Sequence, residues 1–226
     1  MAEKNVLVVA DPHIPFEHKD YLKFCKRIEK AFKCTEVVCT GDLVDNHAIS
    51  YHEHDPDGWS PADEMKEADK HLRKWYKAFP KVKLCRGNHD RLIDRKSKTV
   101  GLPSRAFKDF REIWRFPNGW IDDWSFVIGD VLYTHGTKYS GRFAHCKAAE
   151  DNRMSTVIGH LHSVAGVEYS ANSRDIIFGM CVGSGIDHKA YAFSYGVESR
   201  HKPIVACGVV NYNKHGTVGK VIPMEL

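Results

Sequence analysis

Three short apolar runs, each halted by residues able to bind a cation, constrain this chain more than any other feature. Asn5–Ala10 (NVLVVA) stops at Asp11, Glu36–Thr40 (EVVCT) at Gly41-Asp42, and Lys81–Cys85 (KVKLC) at Gly87-Asn88-His89-Asp90. Helical patterns separate them. Lys19–Phe32 carries Tyr21, Leu22, Phe24, Cys25, Ile28 and Phe32 as an apolar stripe, and Pro61–Phe79 opens with Ser60 as N-cap and Pro61 at the first helical position. Apolar strands joined by crossover helices predict parallel pairing, and ligands of such sheets gather beyond the carboxyl ends of the strands.

The second half is strand-rich. Ser125–Ile128, Val131–Thr134, Thr156–Ile158, Val164–Tyr169, Ile176–Val182, Ile204–Tyr212 and Val218–Ile222 read as strands, with one good helix at Arg142–Asn152. The expected architecture is α/β, two mixed β-sheets packed face to face with helices outside. With 226 residues, 42% hydrophobic and 27% charged, disorder is excluded, and residues 1–226 are read as one domain with a basic insertion at about 91–120. No apolar run reaches the roughly 20 residues of a membrane span, and Met1–Asn5 is unlike a signal peptide. A cytoplasmic protein without a membrane partner is expected, compatible with a bacterial or phage source; oligomeric state is not legible. The net charge of +4 is too mild to imply a nucleic-acid partner without clustering. Seven cysteines without a C-x-x-C pair suggest neither a disulfide framework nor a thiolate zinc site.

The 14 histidines matter because imidazole is the commonest metal ligand. Asp11 and His13 are two residues apart at a strand end and project to one side. Asp42 adds a carboxylate, with Asp45 as a candidate outer partner, and Asn88 supplies a neutral oxygen. Thr134-His135-Gly136 ends a fourth strand and Gly159-His160-Leu161-His162 a fifth. Five strand ends of one polarity thus deliver Asp11, His13, Asp42, Asn88, His135, His160 and His162 to one crevice. Seven oxygen and nitrogen ligands exceed one tetrahedral zinc and suit two divalent ions bridged by a carboxylate, the arrangement used for in-line displacement at phosphorus. Manganese (Mn2+) is the expected ion, although Zn2+, Fe, Ni2+ or Co2+ would accept the same donors.

The order D-x-H, G-D, G-N-H-D, lone H, G-H-x-H resembles the calcineurin-like metallophosphoesterase superfamily over Asp11–His162. The resemblance implies a four-layer α/β/β/α sandwich with a dinuclear centre. It implies that Asp11, His13, Asp42 and His162 hold one ion, and that Asp42, Asn88, His135 and His160 hold the other. His89 would be the acid facing the leaving group, oriented by Asp90, and a hydroxide shared by the two ions would attack phosphorus.

Related serine/threonine protein phosphatases carry G-D-x-V-D-R-G and G-N-H-E, whereas this chain has Asp45-Asn46-His47 and Asp90. The arginine that grips a monoester is missing, and G-N-H-D is closer to the phosphodiesterase and nuclease branches. The expected substrate is a phosphodiester of nucleic acid or a nucleotide. A phosphomonoesterase is the alternative, and a non-catalytic interaction module is disfavoured because every ligand and His89 are retained. Asn88, His89 and Arg142 are the candidate substrate contacts, with His145 beside Arg142; a solvated helix face is the competing account of Arg142 and His145. The basic stretch Arg91–Arg115 with Phe107, Phe110, Trp114 and Trp120 admits two readings: a strand-binding surface, or an amphipathic helix Arg105–Trp114 burying its aromatics, which the spacing favours. Asp55–Asp69 is expected to be a solvated helix face, and His47, His52 and His54 surface loop residues.

Overall fold

Parallel pairing of the three apolar runs frames the computed structural model, which describes residues 4–52, 56–190 and 201–225. β1 (Lys4–Val9), β2 (Glu36–Cys39), β3 (Val82–Cys85) and β4 (Trp120–Asp123) lie parallel in that order. β10 (Ala206–Asn213) pairs antiparallel with β1 and carries β11 (Gly216–Pro223) outside it. Val9 faces Cys39 and Cys39 faces Leu84, so the carboxyl ends of the first three strands are level. The second sheet runs β5 (Ser125–Ile128), β6 (Val131–Thr134), β7 (Ser155–Ile158), β9 (Ile176–Val182), β8 (Ala165–Ala171), with β6, β7 and β9 parallel.

Alternation along each strand sorts the core into layers. Val6, Val8, Val38 and Cys85 meet Tyr133, Val157, Phe178 and Met180 between the sheets. Leu7, Val9, Val37, Cys39 and Leu84 point the other way, against α1 (Tyr21–Ala31) and α2 (Pro61–Ala78). On the far side, Ile158 and Cys181 pack on Ala144 and Ala148 of α5 (Ala144–Asn152). The result is the four-layer α/β/β/α sandwich. Both strands and helices are buried on the faces that meet, which is why the strands read as continuous apolar runs.

Local chemistry fixes the helices. Ser60 Oγ accepts the Asp63 N–H at 3.2 Å with Pro61 following it, capping α2 as the sequence suggests. The Tyr21 hydroxyl donates to the Ala206 carbonyl at 2.8 Å and accepts the Ala10 N–H at 3.0 Å, pinning α1 beneath the end of β1. The expected helix Arg105–Trp114 does not form as one piece. A 3-10 turn at Ser104–Ala106 gives way to α4 (Phe110–Ile113), started by a capping box between Asp109 and Glu112, while an unexpected α3 spans Leu92–Thr99. Trp114 is buried as expected, but Phe107 and Phe110 are only half-buried. All seven cysteines are free, and no helix among the described residues is long and apolar enough to cross a membrane.

Candidate metal centre

The level carboxyl ends of β1, β2 and β3 place Asp11, Asp42 and Asn88 on one rim, and β6 and β7 bring His135, His160 and His162 from the facing sheet. Donor atoms of Asp11, His13, Asp42 and His162 lie within 4.8 Å of one another, as do those of Asp42, His135 and His160. Asp42 belongs to both sets. His13 Nε2 is 3.1 Å from His162 Nε2 and 3.7 Å from Asp42 Oδ2, and His162 Nε2 is 3.6 Å from Asp11 Oδ2. On the other side His135 Nε2 is 3.2 Å from Asp42 Oδ2 and 3.0 Å from Asn88 Oδ1, which adds Asn88 to the second set.

The donor set fits cations. His135 donates its Nδ1–H to the Thr40 carbonyl at 2.9 Å, leaving Nε2 as the ligand atom of the neutral ring. Around that atom stand an amide oxygen and a carboxylate oxygen, neither able to donate. Three lone pairs aimed at one space require a positive charge among them, a proton or a metal ion.

Backbone strain is concentrated at the same residues. Asp11, His13, Asp42 and His160 have φ of 31°, 52°, 46° and 67°, a region that costs non-glycine residues on the order of 1–3 kcal/mol each. The surrounding hydrogen bonds enforce it. His13 N–H donates to the Asp42 carbonyl at 2.9 Å, His160 N–H to Asp11 Oδ2 at 2.5 Å, and His89 N–H to Asp42 Oδ1 at 2.8 Å. Two glycines make room for the carboxylates. A Cβ on Gly87 would stand 2.7 Å from Asp42 Cγ, and one on Gly159 would stand 2.6 Å from Thr40 Oγ1 and 3.0 Å from Asp11 Cγ. The glycines of G-N-H-D and G-H-x-H are therefore packing requirements of Asp42 and Asp11.

The electrostatics divide the residues by role. Burial opposes ionisation of Asp42, but His135 and His89 outweigh it and hold the carboxyl well below the usual range. For Asp11, burial prevails over His135 and raises it to about 6. Burial alone would neutralise His135, yet Asp42 and Asp11 raise it to about 9. Burial and the neighbouring His135 push His160 down to about 4, and burial with His13 pushes His162 well below its ordinary value. His160 and His162 are thus neutral, as metal coordination requires.

His89 lies at the edge of the cluster, its ring 4.6 Å from that of His13. The structure corrects the expectation that Asp90 orients it. His89 Nδ1 meets the Asp45 carbonyl at 2.8 Å and Asp45 Oδ1 at 2.9 Å, while Asp90 accepts the N–H groups of Gly87 at 2.9 Å and Val44 at 3.2 Å. Asp90 thereby laces the β2 and β3 loops together, too occupied to reach an imidazole. Burial would discharge His89, but Asp42 and then Asp45 raise it to about 10.

Other expected contacts fall elsewhere. Arg142 is exposed, its guanidinium 5.8 Å over the Phe143 ring, and no hydrogen bond or ion pair among the described residues joins it to the cluster. His145, in the first turn of α5, is buried, and loss of hydration lowers its pKa, so it is neither a phosphate contact nor part of a solvated face. His47 is buried rather than on the surface, its ring 6.4 Å from Phe16, whereas His52 is exposed and His54 lies outside the described residues. The acidic run is not wholly solvated either. Glu64 is buried and accepts the N–H groups of His47 at 2.8 Å and Ala48 at 2.7 Å, with burial raising it to about 7. Its partners on the chain were invisible because they are backbone groups; Asp45, three residues after Asp42, was the one outer partner with a sequence signal.

Among solved structures, similarity extends to Vacuolar Protein Sorting 29 from Cryptosporidium parvum, at 13% identity over 99% of each chain with a TM-score of 0.47. It extends to the Escherichia coli phosphoesterase YfcE at 15% identity, over 98% of this chain and 100% of that one, TM-score 0.44. The Pseudomonas putida nuclease MPE shares 16% identity over 97% of this chain and 87% of that one, TM-score 0.37. No curated protein matches. The model of the calcineurin-like phosphoesterases matches residues 4–178, which include every candidate ligand of the cluster. The chain therefore belongs to the calcineurin-like phosphoesterase family, hydrolases of phosphoester bonds that typically bind divalent metal ions.

Proposed function

We propose that the protein is a phosphodiesterase acting on nucleic acid or nucleotides, with two divalent ions, Mn2+ by preference. The observation that carries the reading is the sharing of Asp42 between two donor sets beside a charged histidine. Asp11, His13, Asp42 and His162 would hold one ion, and Asp42, Asn88, His135 and His160 the other. When bound, such ions supply Lewis acidity that activates water near neutral pH and offsets phosphoryl charge. The chain's own residues do the rest. Asp45 occupies Nδ1 of His89, so Nε2 is the atom that presents a proton to the departing oxygen. Asp42, through its bond from His89 N–H, fixes that ring relative to the ligands. Asn46 supports a diester over a monoester, since its amide is buried and donates to the His89 carbonyl at 3.1 Å, placing no guanidinium there to grip a dianion.

Turnover of bis-p-nitrophenyl phosphate with manganese tests the proposal. Activity is expected in the wild type and lost in Asp42→Asn, with His89→Ala down by about 10²–10⁴-fold. Hydrolysis of p-nitrophenyl phosphate alone would establish a phosphomonoesterase, and a manganese-loaded protein inert to both esters would overturn the catalytic reading.

A further inference from the structure

The segment following His89 carries a surface that the hydrolytic chemistry leaves unused. Arg91, Arg95 and Lys96, at the start of and along α3, form no ion pair among the described residues; they lie over aromatic rings. The Arg91 guanidinium is 4.4 Å from the Trp124 ring centre, and Arg95 and Lys96 are 5.0 and 4.0 Å from that of Tyr51. Both rings are open to solvent, Trp124 54% and Tyr51 55% exposed. The nearest acid on the helix, Asp94, is neutralised by Lys98 at 3.1 Å.

Position ties this surface to the ligand cluster. Trp124 directly follows β4, whose last residue, Asp123, accepts the Arg86 N–H at 2.8 Å just before Gly87. Tyr51 closes the loop that begins at Asp42. The cations are spread over about 7.5 Å along the helix axis. Trp124 also lines a cavity of about 170 Å³ between α3 and α4, whose walls combine Ile93, Phe107 and Phe110 with the acids Asp94 and Asp109.

Cations without acidic partners, interleaved with open rings, match a chain of phosphates alternating with flat heterocycles. Bases stack on aromatic faces and on guanidinium planes alike. A duplex hides its base faces, and an acidic peptide has none, so neither uses the rings. We infer that this face binds single-stranded nucleic acid, stacking bases on Trp124 and Tyr51 and engaging phosphates through Arg91, Arg95 and Lys96, so that the strand leads into the metal centre. The inference rests on the phosphodiesterase reading for its purpose but on separate residues for its evidence.

The test is fluorescence anisotropy of a labelled 12-residue oligothymidylate with the whole protein in EDTA, which prevents cleavage. Trp124→Ala is expected to weaken binding about tenfold with an unchanged melting temperature. Arg95→Gln/Lys96→Gln should lower the slope of log affinity against log salt by about 1.4, the share of two phosphate contacts. Unchanged affinity in both variants would overturn the inference, as would equal binding of a duplex or of polyglutamate. Wild-type protein that hydrolyses bis-p-nitrophenyl phosphate but ignores the oligonucleotide sinks this surface alone. Protein that binds the oligonucleotide but hydrolyses no ester sinks the enzymatic reading alone.

Discussion

Gly159→Ala puts the proposed metal centre to a test that ordinary ligand deletion does not. Gly159 lies outside the left-handed region, so its backbone accepts alanine, and restricting the unfolded chain would by itself add about 0.4–1 kcal/mol of stability. What alanine cannot avoid is the carboxylate of Asp11. Its Cβ would lie 3.0 Å from Asp11 Cγ and 2.6 Å from Thr40 Oγ1, against an ordinary contact distance near 3.5–4 Å. Asp11, whose other carboxylate oxygen accepts the N–H of the adjoining His160, must retreat by about 1 Å, several times the roughly 0.2 Å tolerance of a metal–ligand bond.

Crowding of this kind costs about 1–3 kcal/mol, partly offset by the unfolded-state gain, so the melting temperature should fall by only a few degrees. Function should suffer far more. Manganese affinity, followed by isothermal titration, is expected to drop 10- to 100-fold, and kcat/KM on bis-p-nitrophenyl phosphate about 100-fold. Gly166→Ala, in β8 with open space where its Cβ would stand, serves as the control and should match the wild type in both assays. Wild-type affinity and turnover in Gly159→Ala would refute the placement of Asp11 as a ligand.

Three further outcomes follow from the charges. With His135 raised to about 9, metal entry must expel a proton from Nε2; titrations in buffers of different ionisation enthalpy should show about one proton released near pH 7.5, with affinity rising up to pH 9, and no release would contradict the ligand assignment. Asp45→Asn removes a carboxylate that keeps His89 charged, so the His89 titration seen by NMR in metal-free protein should shift to lower pH, and the alkaline limb of the pH–rate profile should shift with it; an unmoved titration would deny Asp45 its role. Glu64 has a folded pKa of about 7 against 4.5 in model compounds, so the native state binds its proton more tightly than the unfolded chain does. Its contribution is complete below pH 4.5 and is lost as pH rises through 7. In urea melts with EDTA, the wild type should therefore lose on the order of 3 kcal/mol more than Glu64→Gln between pH 4.5 and 8, and parallel curves would dismiss the assignment.

How much of this could be read beforehand depended on whether the signal was local. Strands with most positions buried on both faces must be mainly apolar, so β1, β2, β3 and β9 were visible within a residue or two of their ends, and the candidate ligands that follow β1, β2 and β3 need no knowledge of the partner strand. β4 escaped notice because its pattern is governed by neighbours far along the chain. Ile121 is exposed at the sheet edge, while the Asp122 side chain is turned away from solvent and held by Arg86 at 2.6 Å and Arg111 at 3.1 Å. The Asp90 assignment failed for a related reason. Adjacency to His89 in the chain suggested a pair, but a residue and its successor at a tight turn point apart, and the carboxylate that reaches the imidazole comes from the neighbouring β2 loop, which only parallel pairing brings alongside. The basic segment repeats the lesson. The aromatics within it serve the core or its margin, and the rings that Arg91, Arg95 and Lys96 cover, Tyr51 and Trp124, come from before and after it in the chain. Chemistry confined to one strand end is legible from residue order; chemistry assembled across loops becomes legible only once the sheet has set their register.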